Sequence, residues 1–514
     1  MSQAGLQQQT QLIAALLDPA LYPHQAKTVR LIETHISWVL LAGRYAYKIK
    51  KALDLGFLNA STLESRRHFC NEELRLNRRL APQLYLGAAS IGGSHVHPVW
   101  SAHPAIEYAV KMRRFAPAKT FDHLIVRGKI EARHTNVLAG MLAKFHSGLP
   151  SVAADPANIR IELAQNFSQL ADLLPDADNL ATLQQASEQA YRDCQHLLKE
   201  RGAQGYIREC HGDLHLGNIV LIGNEPVPFD GIDFNPALRH IDVMDEAAFL
   251  FMDLLHHQRA DLAYRFLNAY LEHTGDYASV ELLNFYCAYR ATVRAKVNAI
   301  RANQAGITAR AREKAMTACG SYLQLAAACL APQRPRLIIT HGLPGSGKST
   351  FAQAALERIG AIRLRSDVER KRLFGLSALQ ESRPEQNIYS AEATQHTYSH
   401  LLKTARSLLN AGCTVIVDAA FLKHQEREMF RKLAQESGAS FAIASLQTDD
   451  ATLRARILQR QNDASEANLA VLDKLQTVQE PLTPQEMRYA AVFHHNNEKS
   501  VREQAWDRLN DLLE

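Results

Sequence analysis

The octet GLPGSGKS, Gly342 to Ser349, constrains this chain more than any other stretch. An apolar run, RLIIT, precedes it and fits a buried strand; TFAQAALERI follows and fits a helix. Strand, glycine turn and helix in that order, with the spacing G-x-x-x-x-G-K-S, form a cradle whose backbone N–H groups turn inward around phosphate oxygens. Gly342, Gly345 and Gly347 give the backbone the freedom this needs, Ser346 and Thr350 complete the loop and first turn, and the helix N-terminus adds partial positive charge. In such a cradle Lys348 reaches the β- and γ-phosphates and Ser349 ligates Mg²⁺. Downstream, CTVIVDAAFL reads as a second apolar strand holding Asp418 near its end, so an α/β domain on a parallel sheet is expected here.

A chain of 514 residues exceeds what one hydrophobic core organises. Pro332 and Pro335 in LAPQRPR punctuate it, which predicts one domain over residues 1–332 and a second over 333–514. Hydrophobic residues make up 46% and charged residues 22%, the balance of a globular protein, so most of the chain should fold. The net charge of +5 is spread over interspersed acids and bases and gives no bulk attraction to nucleic acid or membrane. Seven scattered cysteines without metal-ligand spacing read as reduced thiols. The opening, MSQAGLQQQTQLIAALLDP, lacks the basic and long apolar stretches of a signal peptide, and EAAFLFMDLL is too short to cross a bilayer; a cytoplasmic location is expected.

In the first domain ISWVLLAGRYAYKIKK reads as two strands around Gly43, ESRRHFCNEELRLNRRLA as a helix, and AIEYAVKMRRF as a strand. A helical pattern runs from HTNVLAGM to about residue 205, short strands flank HGDLHLGN, and amphipathic helices return from about 245 to 330. HGDLHLGN, His211 to Asn218, packs two imidazoles, a carboxylate and an amide into eight residues. A metal cage would need His211 and His215 on a helix, which Gly212 and Gly217 oppose. A serine hydrolase would need a G-x-S-x-G elbow, which the sequence lacks. A phosphotransferase loop asks for an aspartate to orient the acceptor hydroxyl and, five residues on, an asparagine for Mg²⁺; Asp213 and Asn218 have that spacing. A second carboxylate should follow on a hairpin, and PVPFDGIDF supplies Asp230 and Asp233.

These motifs and their order resemble the aminoglycoside phosphotransferase family, relatives of protein kinases with an H-G-D-x-H-x-x-N loop, over about residues 35–330. The resemblance implies an α+β bilobal kinase-like fold, with an N-lobe over about 30–112 and a C-lobe over about 113–332. It implies Asp213 as catalytic base, Asn218 as a metal ligand, and Asp230 or Asp233 as the second. The strand-like PVPF before it favours Asp230, whereas the family's I-D-[FWY] form favours Asp233. His211 and His215 are expected to brace the loop. Lys48 and Lys50 share a strand face; Lys48, placed like the lysine of V-A-I-K, is the expected phosphate holder, with Glu73 ahead of Glu72 as its partner. EYAVKM, Glu107 to Met112, is the expected adenine-contacting hinge.

In the second domain IRLRSDVERKRLFG sets Asp367 and Arg370 three apart at a strand-to-helix junction. Read alone, the pair fits an N-cap and a solvated helix face as well as it fits a proton acceptor beside a phosphoryl-steadying guanidinium. Residues 335–514 resemble the P-loop kinases related to polynucleotide kinase and zeta-type toxins, which place Asp-x-x-Arg after the second strand; this implies Asp367 as general base with Arg370, and Asp418 near the metal. Arg456 and Arg460, at i and i+4 with Arg454 nearby, resemble the lid arginines that close over ATP phosphates.

The whole chain resembles bacterial two-module proteins that fuse these two domains. The resemblance implies a bifunctional ATP- and Mg²⁺-dependent phosphotransferase acting on small-molecule hydroxyl acceptors. The alternatives are one active kinase with a nucleotide-binding regulatory partner domain, or a nucleic-acid-directed, toxin-like P-loop module, which the modest charge does not favour.

Overall fold

The computed structural model describes residues 3–54, 59–155, 158–174, 178–304, 306–383, 387–460, 463–494 and 499–514. The chain groups into two compact units. Unit 1 comprises Met1–Val137, Lys144–Gln165 and Gln195–Asp253; unit 2 comprises Leu138–Ala143, Asn166–Cys194 and Leu254–Glu514. The proline-marked segment at 331–335 is a connection inside unit 2.

Unit 1 opens with α1 (Gln3–Ala15), followed by β1 (Val29–Glu33), β2 (Ser37–Ala42), β3 (Tyr45–Lys50), α2 (Leu63–Asn77), β4 (Tyr85–Gly93), β5 (Pro98–Trp100) and β6 (Glu107–Arg113). The six strands pair antiparallel in the order β1-β2-β3-β6-β4-β5. The hairpin read around Gly43 is β2–β3. Gly43 has φ +55°, and a Cβ there would meet Gln25 O at 2.6 Å, so the turn needs glycine. Both faces of the sheet are covered. Trp38, Leu40, Tyr47 and Ile49 pack with Leu12 of α1 and with Leu16 just beyond it, while Leu41 and Ala46 pack with Cys70 and Leu74 of α2. Period-two alternation therefore puts Lys48 and Lys50 on the α2 side of β3. Strands β1, β4 and β5 escape the sequence reading; LGAASIGG in β4 carries a single β-branched residue.

The chain continues through α3 (Phe121–Ile125), α4 (Ala132–Gly148), α5 (Asn158–Leu173) and α6 (Asp178–Ala203). Strands β7 (Ile207–Glu209), β8 (Ile219–Ile222), β9 (Glu225–Pro228) and β10 (His240–Asp242) then lead into α7 (Val243–His256). β8 and β9 form a hairpin, and β10 pairs with β7. Arg201 and Asp242, both buried, hold α6 to β10 through bonds of 2.6 and 2.8 Å.

Unit 2 includes α8 (Ala260–Thr274), α9 (Leu283–Ala302) and α10 (Ala309–Leu330), then β11 (Arg336–His341), α11 (Lys348–Ile359), β12 (Ile362–Arg365) and α12 (Ser366–Leu373). It continues with α13 (Ala391–Asn410), β13 (Thr414–Asp418), α14 (His424–Glu436), β14 (Ser440–Gln447), α15 (Asp450–Gln459), α16 (Leu469–Val478), β15 (Ala490–His494) and α17 (Lys499–Leu513). The five strands are parallel in the order β12-β13-β11-β14-β15, as the apolar runs and intervening helices require. The β12 edge is sealed by α8: Asn268 Nδ2 donates to Ala361 O (2.8 Å) and its Oδ1 accepts from Arg363 N (2.6 Å), while Glu272 accepts from Arg363 Nε (3.0 Å). Among the described residues no helix is long and apolar enough to cross a membrane.

Candidate active sites

In unit 1 the HGDLHLGN loop is held by its own backbone and by α7. Gly212 has φ +84°, and a Cβ there would meet Leu238 O at 2.7 Å. Its N–H donates to Glu246 Oε2 (2.7 Å), and Leu216 N–H donates to Asp253 Oδ2 (2.8 Å). Glu246 also meets His146 Nε2 at 3.0 Å; although burial pushes its carboxyl up, the hydrogen bond from His146 brings it below the usual range. Asn218 Nδ2 donates to Asp213 Oδ2 (2.9 Å) and to Asp213 O (3.0 Å). His211 Nδ1 accepts from Asp213 N–H and its Nε2 meets Phe229 O, while His215 Nδ1 accepts from Gly217 N–H. The two histidines thus sit within the loop's own bonding, and His215 Nε2 is 3.6 Å from Asp213 Oδ2.

The β8–β9 hairpin brings Phe229 N–H onto Asn218 O, setting Asp230 beside the end of the loop. Asp230 stands at φ +62°, its N–H bonded to Tyr85 Oη, with 47% of its side chain exposed. Asp233 is 5% exposed and lies 2.5 Å from Lys50 Nζ. Lys48 Nζ lies 2.9 Å from Glu73 Oε1 and 2.6 Å from Asp230 Oδ1, and Lys50 Nζ lies 2.7 Å from Glu73 Oε2. Burial alone would raise the Glu73 carboxyl; the two ammonium groups outweigh it and hold the group well below its ordinary range. Burial and the Glu73 charge push Asp233 up, against the pull of Lys50. Both lysines and both aspartates left open by the sequence therefore belong to one network, while Glu72 turns away to Arg75.

One expectation for unit 1 is corrected. Val110–Met112, within the expected hinge, are paired to β3 on one side and β4 on the other, so this backbone has no free edge for a base. Glu107 is buried against Arg66 and Gln9.

In unit 2 the GLPGSGKS loop connects β11 to α11. Gly342 has φ +146°, where a Cβ would meet Leu446 O at 2.6 Å and Ser346 Oγ at 2.8 Å; Gly345 and Gly347 also have positive φ. Lys348 Nζ donates to Leu343 O (2.9 Å). Burial lowers the Lys348 ammonium to about 8, although the nearby carboxylates of Asp418 and Asp367 oppose the shift. Ser349 and Thr350 occupy the first turn of α11, with Thr350 exposed. Arg456 Nη1 donates to Gly345 O (3.0 Å).

The arginine face expected on α15 is only partly formed. The helix ends at Gln459, and Arg460 is its C-cap with extended backbone, Nε 3.5 Å from Asp463. Arg454 points to Asp450 and Asp473 instead. Arg370 does not project beside Asp367 into solvent: it is buried, donates to Ile388 O (2.8 Å), and lies over the Tyr389 ring.

Two groups of residues were not singled out from sequence. Arg365 pairs with Asp463, and its Nε lies 4.0 Å from Asp418 Oδ2; both atoms are buried without a hydrogen-bond partner. Glu246 and Asp253 brace the first loop. Their signal was present: two acids seven apart in an apolar helix share one face, where burial demands a partner.

Oxygen donors suited to a hard divalent cation are present in both units. In unit 1 they are the exposed carboxylate of Asp230 and the amide oxygen of Asn218; in unit 2, the Ser349 hydroxyl and the unpartnered buried Asp418 Oδ2.

The model of the phosphotransferase enzyme family matches residues 72–283, and that of an AAA domain matches residues 337–482. Uncharacterized protein Rv2004c of Mycobacterium tuberculosis (strain ATCC 25618 / H37Rv) is 30% identical over 452 residues, spanning 85% of this chain and 88% of its own. Uncharacterized protein Mb2027c of Mycobacterium bovis gives the same figures. Among solved structures, amicoumacin kinase hAmiN in complex with AMP-PNP, Ca²⁺ and Ami is 13% identical and covers 63% of this chain and 96% of its own, with a TM-score of 0.40. Chaetomium thermophilum Kti12 in complex with ADP-AlF3 is 18% identical and covers 35% of this chain and 99% of its own, with a TM-score of 0.28. The chain therefore belongs to the family of Rv2004c, and it is an ATP-dependent kinase in which an aminoglycoside phosphotransferase-like domain is followed by a P-loop kinase domain.

Proposed function

We propose that the protein is a bifunctional phosphotransferase of the cytoplasm: residues 1–332 and 333–514 each bind ATP with Mg²⁺ and pass the γ-phosphoryl group to the hydroxyl of a small molecule. The observation that carries this reading is that each unit holds its own complement of a lysine, an acidic base candidate and oxygen ligands for a cation. When bound, Mg²⁺ neutralises charge on the transferring phosphates.

In unit 1 Asp213 orients the acceptor hydroxyl and takes its proton, and Asn218 holds that carboxylate through Nδ2 while offering Oδ1 to the cation. Asp230 is the second ligand, because its carboxylate is exposed whereas Asp233 is buried against Lys50. Lys48, steadied by Glu73, holds nucleotide phosphate. In unit 2 the amides of Gly345 and Gly347 face the phosphates, those of Gly342 and Ser346 being spent on Ala420 O and Leu343 O, while Lys348 and Ser349 complete the cradle and Asp367 is the base with Asp418 toward the cation. Arg456 and Arg460 come from the segment beside the loop, and Arg370 shapes the acceptor side with Tyr389.

The test is a screen of hydroxyl metabolites for an ATP-dependent mass gain of one phosphoryl group, run with the unaltered chain, Asp213→Asn and Lys348→Ala. Two activities, each abolished by one substitution and spared by the other, are expected. A single activity abolished by both would overturn the reading.

A further inference from the structure

The lysine network of unit 1 contains more than the reaction just described uses. Transfer needs one ammonium on the phosphates and one glutamate to hold it, yet β3 sends two lysines to the same carboxylate. Their surroundings differ. Lys48 is 13% exposed and bridges Glu73 to the exposed Asp230; Lys50 is 2% exposed and bridges Glu73 to the buried Asp233. Each lysine takes a different oxygen of Glu73, so the glutamate has two counterions at once. The Lys50 contact is an ion pair without hydrogen-bond geometry, whereas the Lys48 contact is a hydrogen bond.

The surrounding contacts fix the inner pair more firmly than the outer one. Asp230 and Gly231 are tied by backbone bonds to Tyr85 Oη (3.0 Å) and Asn77 Oδ1 (2.8 Å), and the half-exposed Asp230 carboxylate is held by Lys48 at the solvent side of the network. Asp233, itself buried, is engaged at its carboxylate by the buried Lys50. When Lys48 turns to a phosphate, Glu73 would become a buried carboxylate with no counterion unless a second cation stayed behind, and an unpaired buried charge is strongly unfavourable.

We propose that Lys50 is a positioning residue with two tasks: it keeps Glu73 in place while Lys48 serves the nucleotide, and it occupies Asp233 so that the cation is taken by Asp230. The proposal rests on reading unit 1 as an ATP and Mg²⁺ site. It assigns the inner ion pair a role in metal selection and phosphate grip, distinct from that of Lys48, which touches the nucleotide itself.

The two tasks separate experimentally. Full-length chain carrying Lys348→Ala confines binding to unit 1, and Mn²⁺ with a non-hydrolysable ATP analogue reports both affinities without turnover, Mn²⁺ by electron paramagnetic resonance and nucleotide by calorimetry. Lys50→Met should weaken both, by about 10- to 100-fold as for partners that orient metal ligands. Lys50→Arg should restore most of each. Lys50→Met with Asp233→Leu replaces the buried pair by apolar groups, so it keeps the fold if the single variant does not. It should regain Mn²⁺ affinity while nucleotide affinity stays weak, because Asp233 no longer competes but Glu73 still lacks its second cation. Lys48→Met should lose nucleotide affinity with Mn²⁺ affinity reduced less. Affinities in folded Lys50→Met within about twofold of the control, or a double variant with Mn²⁺ affinity no better than Lys50→Met, would overturn the proposal. If the Lys348→Ala control binds no nucleotide, the reading of unit 1 itself fails and the proposal falls with it.

Discussion

Asn218 Nδ2 donates to Asp213 Oδ2 at 2.9 Å, so the two polar residues five apart in HGDLHLGN fix one another's side chains. This relationship helps to orient a carboxylate that is 36% exposed. Asp213→Asn keeps the shape but removes the proton acceptor. Its expected effect is a fall in kcat of unit 1 transfer by about 10²- to 10⁴-fold, with KM for ATP little changed. Steady-state kinetics in the Lys348→Ala background checks this.

Gly342 admits no side chain. With φ +146° and a Cβ placed 2.6 Å from Leu446 O, Gly342→Ala should destabilise unit 2 by about 1–3 kcal/mol and abolish nucleotide binding there. Thermal unfolding with and without nucleotide reads both effects.

Lys348 gives unit 2 a pH signature. In the fold its ammonium titrates near about 8, below the ordinary 10.5, so from pH 8 to 10.5 the folded chain binds fewer protons than the unfolded one. Stability should therefore rise with pH across that window, while affinity for nucleotide phosphate falls by about tenfold per pH unit above 8. Lys348→Met should flatten both slopes, in denaturant titrations and in calorimetry; slopes that persist in the variant would assign the effect to another group.

The Arg201–Asp242 pair is an example of buried charge that must stay matched. Arg201→Met should cost unit 1 about 3–5 kcal/mol by stranding Asp242, and adding Asp242→Leu should recover much of it. Urea denaturation of the single and double variants makes the comparison.

Asn268 caps the open edge of β12 through Ala361 O and Arg363 N. Asn268→Ala should destabilise unit 2 by about 1–3 kcal/mol by leaving both backbone groups unpaired. Hydrogen exchange at Arg363 should accelerate; unchanged protection there would show that the amide does not seal the edge.

How far the sequence disclosed this molecule depended on whether a feature was contiguous. GLPGSGKS and HGDLHLGN are local, and their glycines occupy left-handed or crowded positions that only such spacing provides. Lys48 and Lys50 could not be ranked from the strand alone because both point to one face and both reach Glu73. What separates them is depth, set by the 183-residue reach from Lys50 to Asp233, which leaves no trace in either segment. Arg365 and Asp463 likewise meet across 98 residues. The arginine face on α15 was misread because helical spacing says nothing of where a helix ends, and Arg460 falls one residue beyond it. The strands β1, β4 and β5 left little pattern because they bury little: β1 has no fully buried residue, β5 has only Pro98, and β4 carries a single β-branched residue.

The central claim, two independent nucleotide sites in one chain, is tested most directly by the stoichiometry of a non-hydrolysable ATP analogue in isothermal titration calorimetry with Mg²⁺. The unaltered chain should bind two equivalents, and Lys48→Met and Lys348→Ala one each. One equivalent in the unaltered chain, unchanged by one of the two substitutions, would contradict it.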